Sequence, residues 1–302
     1  MFSAPGVWAL NRCPQPHCGL IWPDPSPLKE DLGIAYRTYY THAEPKGMVA
    51  AAKYHLLSLG YRACIAIPAW FFGLLRERRQ FQQMFLLECR PGRLLDVGCG
   101  DGSFLHRMER HGWSGTGMDF DAAAIAAGRQ KYGLDLAVAD FMETNFAEAG
   151  FDAITMSHVI EHVPDPVATF EKCRRLLKPG GRLVVSTPNS LSLGHQQFQA
   201  CWRGLEPPRH LHIFSPRLLA WCANRAGLKI VRAGSTAVNA DYIATASLAI
   251  QAAKPDEELI GGGWNLQFAL RGVAFQYREQ LALRSRPDAG EEAFVVAERP
   301  AT

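Results

Sequence analysis

Short hydrophobic segments alternate with segments of helix length through the middle of the chain. Six of the short segments are rich in Val, Leu and Ile and are typical of buried strands, namely residues 93–97, 114–118, 135–139, 151–156, 181–186 and 228–231. Strands that alternate with helices predict a mostly parallel sheet covered by helices on both faces. A further candidate strand, residues 293–297, follows two helical stretches. The pattern therefore predicts an α/β fold.

The same pattern divides the chain into three parts. Residues 1–44 form an arm rich in Pro and aromatic side chains, and residues 45–90 have the apolar spacing of a helical bridge or lid. Residues 91–302 hold the sheet, with a helical insertion at about 236–290. The longest apolar run, 64–75, is shorter than the roughly 20 residues that cross a membrane. It predicts a buried helix or one that lies in the membrane interface, and both interpretations stay open.

Composition narrows the function classes without choosing one. The 302 residues carry 32 Lys and Arg against 29 Asp and Glu, a net charge of +3, and 48% of them are hydrophobic. These values exclude a disordered protein and a strongly basic nucleic-acid binder, so we expect no nucleic-acid partner. Eight scattered cysteines and no recognisable secretory leader favour a cytoplasmic location.

The strongest candidate chemistry follows the first strand of the sheet. Residues 94–105 read as a buried strand, a turn with Gly98, Gly100 and Gly102, and the start of a helix. Glycines allow a tight turn and a close approach to a ligand, and the free N–H groups of the helix start favour an anionic group. Dinucleotide sites have the spacing G-x-G-x-x-G, whereas this turn has G-x-G-x-G after Asp96. The turn predicts a nucleotide-like ligand.

The next three strands also end in side chains suited to an adenosyl ligand. Asp119 ends the second strand, where a carboxylate can accept hydrogen bonds from ribose hydroxyls. Asp140 and Phe141 end the third strand and offer an acceptor for an amine and a ring for a purine. Ser157 and His158 end the fourth. Because these ends meet at one edge of a parallel sheet, the four together predict one binding site.

These motifs resemble the class I S-adenosylmethionine-dependent methyltransferases, and most closely the small-molecule enzymes of ubiquinone biosynthesis. The similar stretches are residues 95–102, 151–154, 158–162, 176–183 and 187–189. The resemblance implies a Rossmann-like, seven-stranded sheet with a reversed last strand. It also implies transfer of a methyl group from S-adenosylmethionine, which becomes S-adenosylhomocysteine.

Carried over position by position, the resemblance assigns a cofactor contact to each motif. The loop residues are expected around the methionine half, Asp119 at the ribose, and the side chains that follow the second and third strands at the adenine. Ser157 and His158 are expected at the wall beside the sulfonium. The expected cofactor-binding set is Asp96, Gly98, Cys99, Gly100, Gly102, Asp119, Phe120, Asp140, Phe141, Ser157 and His158.

Histidines are the candidates for a catalytic base. The sulfonium is already activated, so a base is needed only if the acceptor must lose a proton. His158 follows the fourth strand, and His210 and His212 lie in an aromatic, charged segment after the fifth, near the expected acceptor pocket. A base or acceptor-positioning role and a purely structural role both stay open for them.

The arm carries a weak candidate for a metal site. Cys13 and Cys18 resemble one knuckle of a zinc ribbon, but a ribbon needs a second cysteine pair that this sequence does not contain upstream. We therefore expect a relic of the ribbon, or a start site that truncates it, and no working metal site.

The acceptor is expected to be a small, hydrophobic molecule of quinone, lipid or sugar type. Phe268, Phe275 and Tyr277, with the aromatic residues at 70–72, can form an apolar wall, and core packing or a homodimer interface is the alternative. Peripheral membrane contact also stays open. Two other functions share this architecture: a nicotinamide-dependent oxidoreductase, and a non-catalytic protein that binds S-adenosylmethionine.

Overall fold

A computed structural model describes residues 7–15, 18–28, 74–252 and 266–301 of the chain. Residues 45–73 of the bridge predicted for 45–90, with most of the apolar run 64–75 and the aromatic residues at 70–72, lie outside the described residues. The described part of the bridge contains a helix, Leu74–Gln82. Among the described helices, none combines the length and apolar content that a membrane crossing requires. Membrane contact, the homodimer, the cytoplasmic location and the three domain boundaries stay predictions.

The N-terminal arm contains a small hairpin, where the sequence predicted mainly loop. Strand β1 (Ala9–Arg12) pairs antiparallel with β2 (Ile21–Asp24). Pro23 is tolerated in β2 because a strand at the edge of a sheet can do without one ladder hydrogen bond. The hairpin joins the rest of the protein where the backbone groups of Ile21 and Ile213 exchange two hydrogen bonds of 3.1 and 2.8 Å.

The core of the protein is a seven-stranded sheet. Its strands are β3 (Arg93–Val97), β4 (Ser114–Asp119), β5 (Asp135–Val138), β6 (Phe151–Ser157), β7 (Leu177–Pro188), β8 (Lys229–Thr236) and β9 (Glu292–Glu298). Their order across the sheet is β5-β4-β3-β6-β7-β9-β8. Strands β3 to β7 are parallel, and β9 runs antiparallel between β7 and β8. The predicted α/β fold with a reversed last strand is confirmed.

Helices cover both faces of this sheet. They are α1 (Leu74–Gln82), α2 (Ser103–Glu109), α3 (Ala122–Tyr132), α4 (Pro166–Leu176), α5 (Leu193–Phe198), α6 (Pro216–Arg225), α7 (Ala240–Gln251) and α8 (Leu266–Ala282). Alternate residues of β3 serve the two faces. Leu95 packs in one core with Phe170 of α4 and Leu219 of α6. Leu94 packs in the other core with Leu105 of α2 and Ile125 of α3.

The insertion between β8 and β9 forms a third core beside the sheet. Phe275 of α8 is buried there with Trp202 and with Ala244 of α7. Phe268 packs against the same cluster. These two aromatic side chains therefore pack in a core, which is the alternative to an acceptor wall. They do not line the large cavity described below.

Candidate active site

The carboxyl ends of β3, β4, β5 and β6 open into one cavity of about 1050 Å³. Small-molecule sites are typically about 300–1,000 Å³, so this cavity has room for a cofactor and a second small molecule. One end is formed by the glycine turn and the strand ends, and the other by the segment before α6 and by α7. The residues that line it beyond the strand ends include His162, Arg203, Glu206, His210, Asn239, Tyr242, Ile243 and Glu292.

Two glycines shape the turn after β3 in different ways. Gly98 has φ of +72°, and a Cβ on it would lie 2.3 Å from Cγ2 of Val159, so neither the conformation nor the space admits a side chain. Gly100 has φ of +53°, and a Cβ there would meet nothing within 4 Å. Because Gly100 lines the cavity, its missing side chain lets a ligand approach the backbone.

Asp119 ties the second strand end to the glycine turn. Its Oδ2 accepts from the backbone N–H of Gly100 at 2.9 Å, and its Oδ1 accepts from the N–H of Asp121 at 2.9 Å. Each carboxylate oxygen has a second lone pair, so Asp119 can still accept from a ligand hydroxyl. Asp119 lines the cavity where the resemblance expects the ribose.

Asp96 lies beneath the turn and is 6% exposed. The hydroxyl of Thr155 donates to its Oδ1 at 2.6 Å. Burial raises the pKa of Asp96 to about 7, and the nearby charge of Asp119 adds to this effect. Asp96 is absent from the cavity lining, and its predicted contact with the cofactor stays a prediction.

Residues that follow β4 and β5 form another part of the cavity wall. Asp140, Phe141 and Phe120 all line it. Asp140 accepts from the backbone N–H of Met142 at 2.7 Å, which fixes the turn after β5. Phe120 is 63% exposed, so a ring that stacks on it would cover apolar surface now facing water.

His158 is held between two carboxylates. Its Nδ1 lies 3.3 Å from Oε1 of Glu161, and its Nε2 lies 3.2 Å from Oε1 of Glu292. Burial opposes the charged form, but Glu292 and Glu161 outweigh it and raise the pKa of His158 well above its ordinary value. An imidazolium has no lone pair to accept a proton. His158 is therefore better suited to positioning than to base catalysis at neutral pH.

His210 and His162 meet at the far end of the cavity. Their ring centroids are 4.9 Å apart, and both residues line the cavity. Burial and the neighbouring His162 together lower the pKa of His210 to about 4, so His210 is neutral at pH 7. Glu206 lies 3.8 Å from Nε2 of His210 and is itself held by Arg203 and Arg209.

Most of the site residues predicted from the sequence line the cavity, and a few do not. Those that line it are Gly98, Gly100, Asp119, Phe120, Asp140, Phe141, His158 and His210. Those that do not are Asp96, Cys99, Gly102, Ser157 and His212. A Cβ on Gly102 would lie 2.8 Å from Leu134 and 3.1 Å from Leu136, so this glycine allows close packing against the start of β5.

Several lining residues were not among the predicted site residues. Glu206 and Arg203 lie in the aromatic, charged segment after β7, and Tyr242 and Asn239 belong to the insertion. Glu292 could have been predicted from the sequence, because the amino end of a reversed strand lies at the carboxyl edge of its parallel neighbours.

A parallel sheet with a glycine turn and an acid at the next strand end defines a nucleotide-binding α/β domain of the doubly wound class. A family model described as a methyltransferase domain matches residues 72–233, more than half of the chain. The protein belongs to this family, and its resemblance to class I S-adenosylmethionine-dependent methyltransferases is confirmed.

Individual relatives match a shorter part of the chain. A ubiquinone biosynthesis O-methyltransferase from Alkalilimnicola ehrlichii is 36% identical over 115 residues, which are 35% of this chain and 47% of the relative. One from Xylella fastidiosa is 43% identical over 104 residues, 32% of this chain and 42% of the relative. The chain thus spans about half the length of the curated relatives it matches.

Solved structures share the fold at low identity. The [4+2]-cyclase SpnF superposes with a TM-score of 0.51 at 21% identity, over 72% of this chain and 80% of that one. A sarcosine dimethylglycine methyltransferase, described as putative, from Galdieria sulphuraria gives 0.51 at 17% identity, over 75% and 86%. Because one of these is named for a cyclisation, the shared fold alone does not choose the reaction.

Proposed function

We propose that this protein transfers a methyl group from S-adenosylmethionine to a hydroxyl oxygen of a small-molecule acceptor. An oxygen lone pair forms a bond to the methyl carbon while the C–S bond breaks, and its electrons neutralise the sulfonium. The hydroxyl proton is released, so the products are the methyl ether, S-adenosylhomocysteine and a proton. The oxygen acceptor is supported by the names of the relatives, which are O-methyltransferases.

The observation that carries this proposal is a single cavity that joins the two halves of the site. The Gly100 and Asp119 pair at one end fits the cofactor, and His162 and His210 at the other end face the space that remains. A methyl donor and its acceptor must share one cavity for in-line transfer, and catalysis then consists mainly of their alignment.

The proposed cofactor contacts are those that the family resemblance assigns, and most of these residues line the cavity. Asp119 would accept from the ribose hydroxyls, Asp140 from the adenine amine, and Phe120 would cover the ring. Asp96 would attract the cationic methionine half through its charge. Gly98 and Gly100 would admit that half against the backbone.

The acceptor end combines polar and apolar walls. The polar side is made of His210, Glu206 and Arg203, and the apolar side includes Ile243 and Tyr242, which is 56% exposed. This combination suits an acceptor with a hydroxylated head and an apolar body, of which a quinone precursor is one example. Neutral His210 is the residue best suited to accept the hydroxyl proton.

Calorimetry with S-adenosylmethionine and with NAD tests the cofactor half of the proposal. We expect S-adenosylmethionine to bind and NAD not to bind. Asp119→Asn removes a charged acceptor and should weaken binding about 10- to 100-fold, since such hydrogen bonds contribute about 1.5–3 kcal/mol. Asp135→Asn, at the exposed amino end of β5, is the matched control and should leave affinity unchanged.

Radiolabelled methyl transfer to a panel of polyprenylated phenols, free phenols and sugar hydroxyls tests the reaction. Binding of S-adenosylmethionine without transfer to any of them would favour a non-catalytic binding protein. Tight binding of NAD with no binding of S-adenosylmethionine would overturn the proposal.

A further inference from the structure

Glu206 is a buried acid in the wall of the acceptor end of the cavity. It is 4% exposed and lies in the charged segment that precedes α6. Its φ is +35°, a left-handed conformation that residues other than glycine seldom adopt. Such strain persists only where the surrounding structure holds it, and it is common at functional sites. The conformation of Glu206 therefore points to a functional role.

Two arginines keep the Glu206 carboxylate ionised. Nη1 of Arg203 donates to its Oε2, and Nη1 of Arg209 donates to its Oε1 at 3.4 Å. Burial alone would raise the pKa of Glu206, but the neighbouring charges, that of Arg203 first, outweigh burial and lower this pKa below its ordinary value. Glu206 therefore carries a negative charge at neutral pH.

The same carboxylate faces the imidazole of His210. Oε2 of Glu206 lies 3.8 Å from Nε2 of His210, and the backbone carbonyl of Glu206 accepts from the N–H of His210 at 3.3 Å. Nδ1 of His210 lies 2.8 Å from the carbonyl oxygen of Gly204. A carbonyl oxygen only accepts, so Nδ1 carries the proton and the lone pair of the neutral ring is on Nε2. The ring nitrogen that can accept a proton is therefore the one that faces Glu206.

We propose that Glu206 is a positioning residue for methyl transfer that acts through His210, and this inference rests on the proposed function. Nε2 of His210 takes the hydroxyl proton while the acceptor oxygen bonds to the methyl carbon and the C–S bond breaks. The imidazolium that results is costly to bury alone. Glu206 lies at ion-pair distance from the new N–H and stabilises it until the proton passes to solvent. Arg203 and Arg209 fix the position of the carboxylate.

The other charged groups around His210 are less suited to this role. The neighbouring ring of His162 lowers the pKa of His210, so it disfavours the imidazolium. Two acids favour the imidazolium, and Glu206 has the larger effect and Glu161 the smaller. Glu161 is also paired with His158, whose Nδ1 lies 3.3 Å from its Oε1. Glu206 is therefore the acid that we assign to His210.

Methyl transfer by Glu206→Gln tests this role. Gln has the size of Glu and can still accept from Arg203, but it carries no charge. With an acceptor that the wild type methylates, kcat should fall at least about 10-fold, and His210→Gln should lower it about 100-fold or more. Calorimetry should show unchanged affinity for S-adenosylmethionine, which also shows that each variant has folded. Asp135→Asn, at the exposed amino end of β5, is the control and should keep the wild-type kcat.

The acidity of the acceptor separates a charge effect from a merely structural one. A more acidic hydroxyl needs less help from a base. In a series of substituted acceptors of decreasing hydroxyl pKa, the ratio of wild-type kcat to Glu206→Gln kcat should therefore fall towards one. A structural defect would lower kcat by the same factor for every acceptor. A constant ratio across the series, or an unchanged kcat, would overturn the role of Glu206.

Glu206→Asp keeps the test valid if Glu206→Gln does not fold, because it retains the charge that pairs with both arginines. Its carboxylate is withdrawn from His210 by one methylene, so we expect a smaller loss of kcat with the same dependence on acceptor acidity. Normal methyl transfer by both variants would refute the role of Glu206 and leave the proposed function in place. Wild-type protein that binds S-adenosylmethionine but methylates no acceptor would refute the proposed function, and the role of Glu206 with it.

Discussion

Replacing Asp96 by Asn is expected to stabilise the ligand-free protein at neutral and alkaline pH. Burial raises the pKa of Asp96 from 3.8 to about 7, so its charged form is disfavoured in the folded state. One pKa unit corresponds to about 1.36 kcal/mol, which makes the cost of the ionised carboxylate on the order of 4 kcal/mol. Asn keeps the oxygen that accepts from Thr155 and removes the charge.

The sign of the effect follows from proton linkage. The folded protein holds the Asp96 proton more tightly than the unfolded chain, so wild-type stability falls as pH rises from about 4 to about 7. Asn does not titrate. The free energy of unfolding of Asp96→Asn minus that of wild type should therefore be near zero below pH 4 and reach its full value above pH 7.

Urea denaturation at several pH values between 4 and 8.5 measures this difference. Other carboxylates titrate in both proteins and cancel in the subtraction. Asp135→Asn, which removes an exposed carboxylate on β5, should show a difference close to zero at every pH. A difference for Asp96→Asn that does not change with pH, or that falls as pH rises, would refute the reasoning.

The same variant should bind S-adenosylmethionine more weakly, because the donor carries a net positive charge that Asp96 would attract. Calorimetry at pH 8, where the wild-type carboxylate is ionised, gives the comparison. Unchanged affinity would show that the assignment of Asp96 to the methionine half is wrong. Greater stability together with weaker binding would instead show that the fold tolerates a costly buried charge because the site uses it.

Two further predictions concern residues around the site. Gly98→Ala places a methyl group 2.3 Å from Cγ2 of Val159 at φ of +72°. It should lower the free energy of unfolding by about 1–3 kcal/mol and weaken S-adenosylmethionine binding. The double variant Gly98→Ala, Val159→Ala should recover only part of the stability, and full recovery would show that the backbone is unstrained. Trp202→Phe removes the indole N–H that donates to buried Glu291 and should cost about 1–3 kcal/mol in urea denaturation at pH 9, and an unchanged urea midpoint would contradict that role.

Strand positions could be predicted because central parallel strands are buried on both faces. β3 has the predicted bounds, Arg93 and Val97, and the four residues after Arg93 are buried. β7 is longer than predicted and starts at Leu177, because residues before its hydrophobic run continue the pairing with β6 and because the β-bulge there absorbs the turn residues. A hydrophobic run therefore predicts the buried part of a strand, but the hydrogen bonds to the neighbouring strand can continue past the end of that run.

The cofactor end of the site was predictable for a topological reason. Parallel strands bring their carboxyl ends to one edge, so Asp119 and Asp140 meet there whatever the intervening helices are. The same reasoning could not distinguish a lining residue from one beneath the surface. Asp96 and Gly102 lie in the motif but behind the cavity, because their positions depend on packing against Thr155 and Leu134.

The acceptor end could not be predicted from local patterns, since its residues come from elements that are far apart in the sequence. His162 reaches His210 only because the backbone of residues 209–212 pairs with the turn after β6. Glu292 is different, because the reversed direction of β9 already determines its place. Its pairing partner at the end of β7 is Pro188, and an antiparallel strand begins where its parallel neighbour ends. A predicted reversed last strand therefore indicates that the acids at its amino end belong to the site, beside His158.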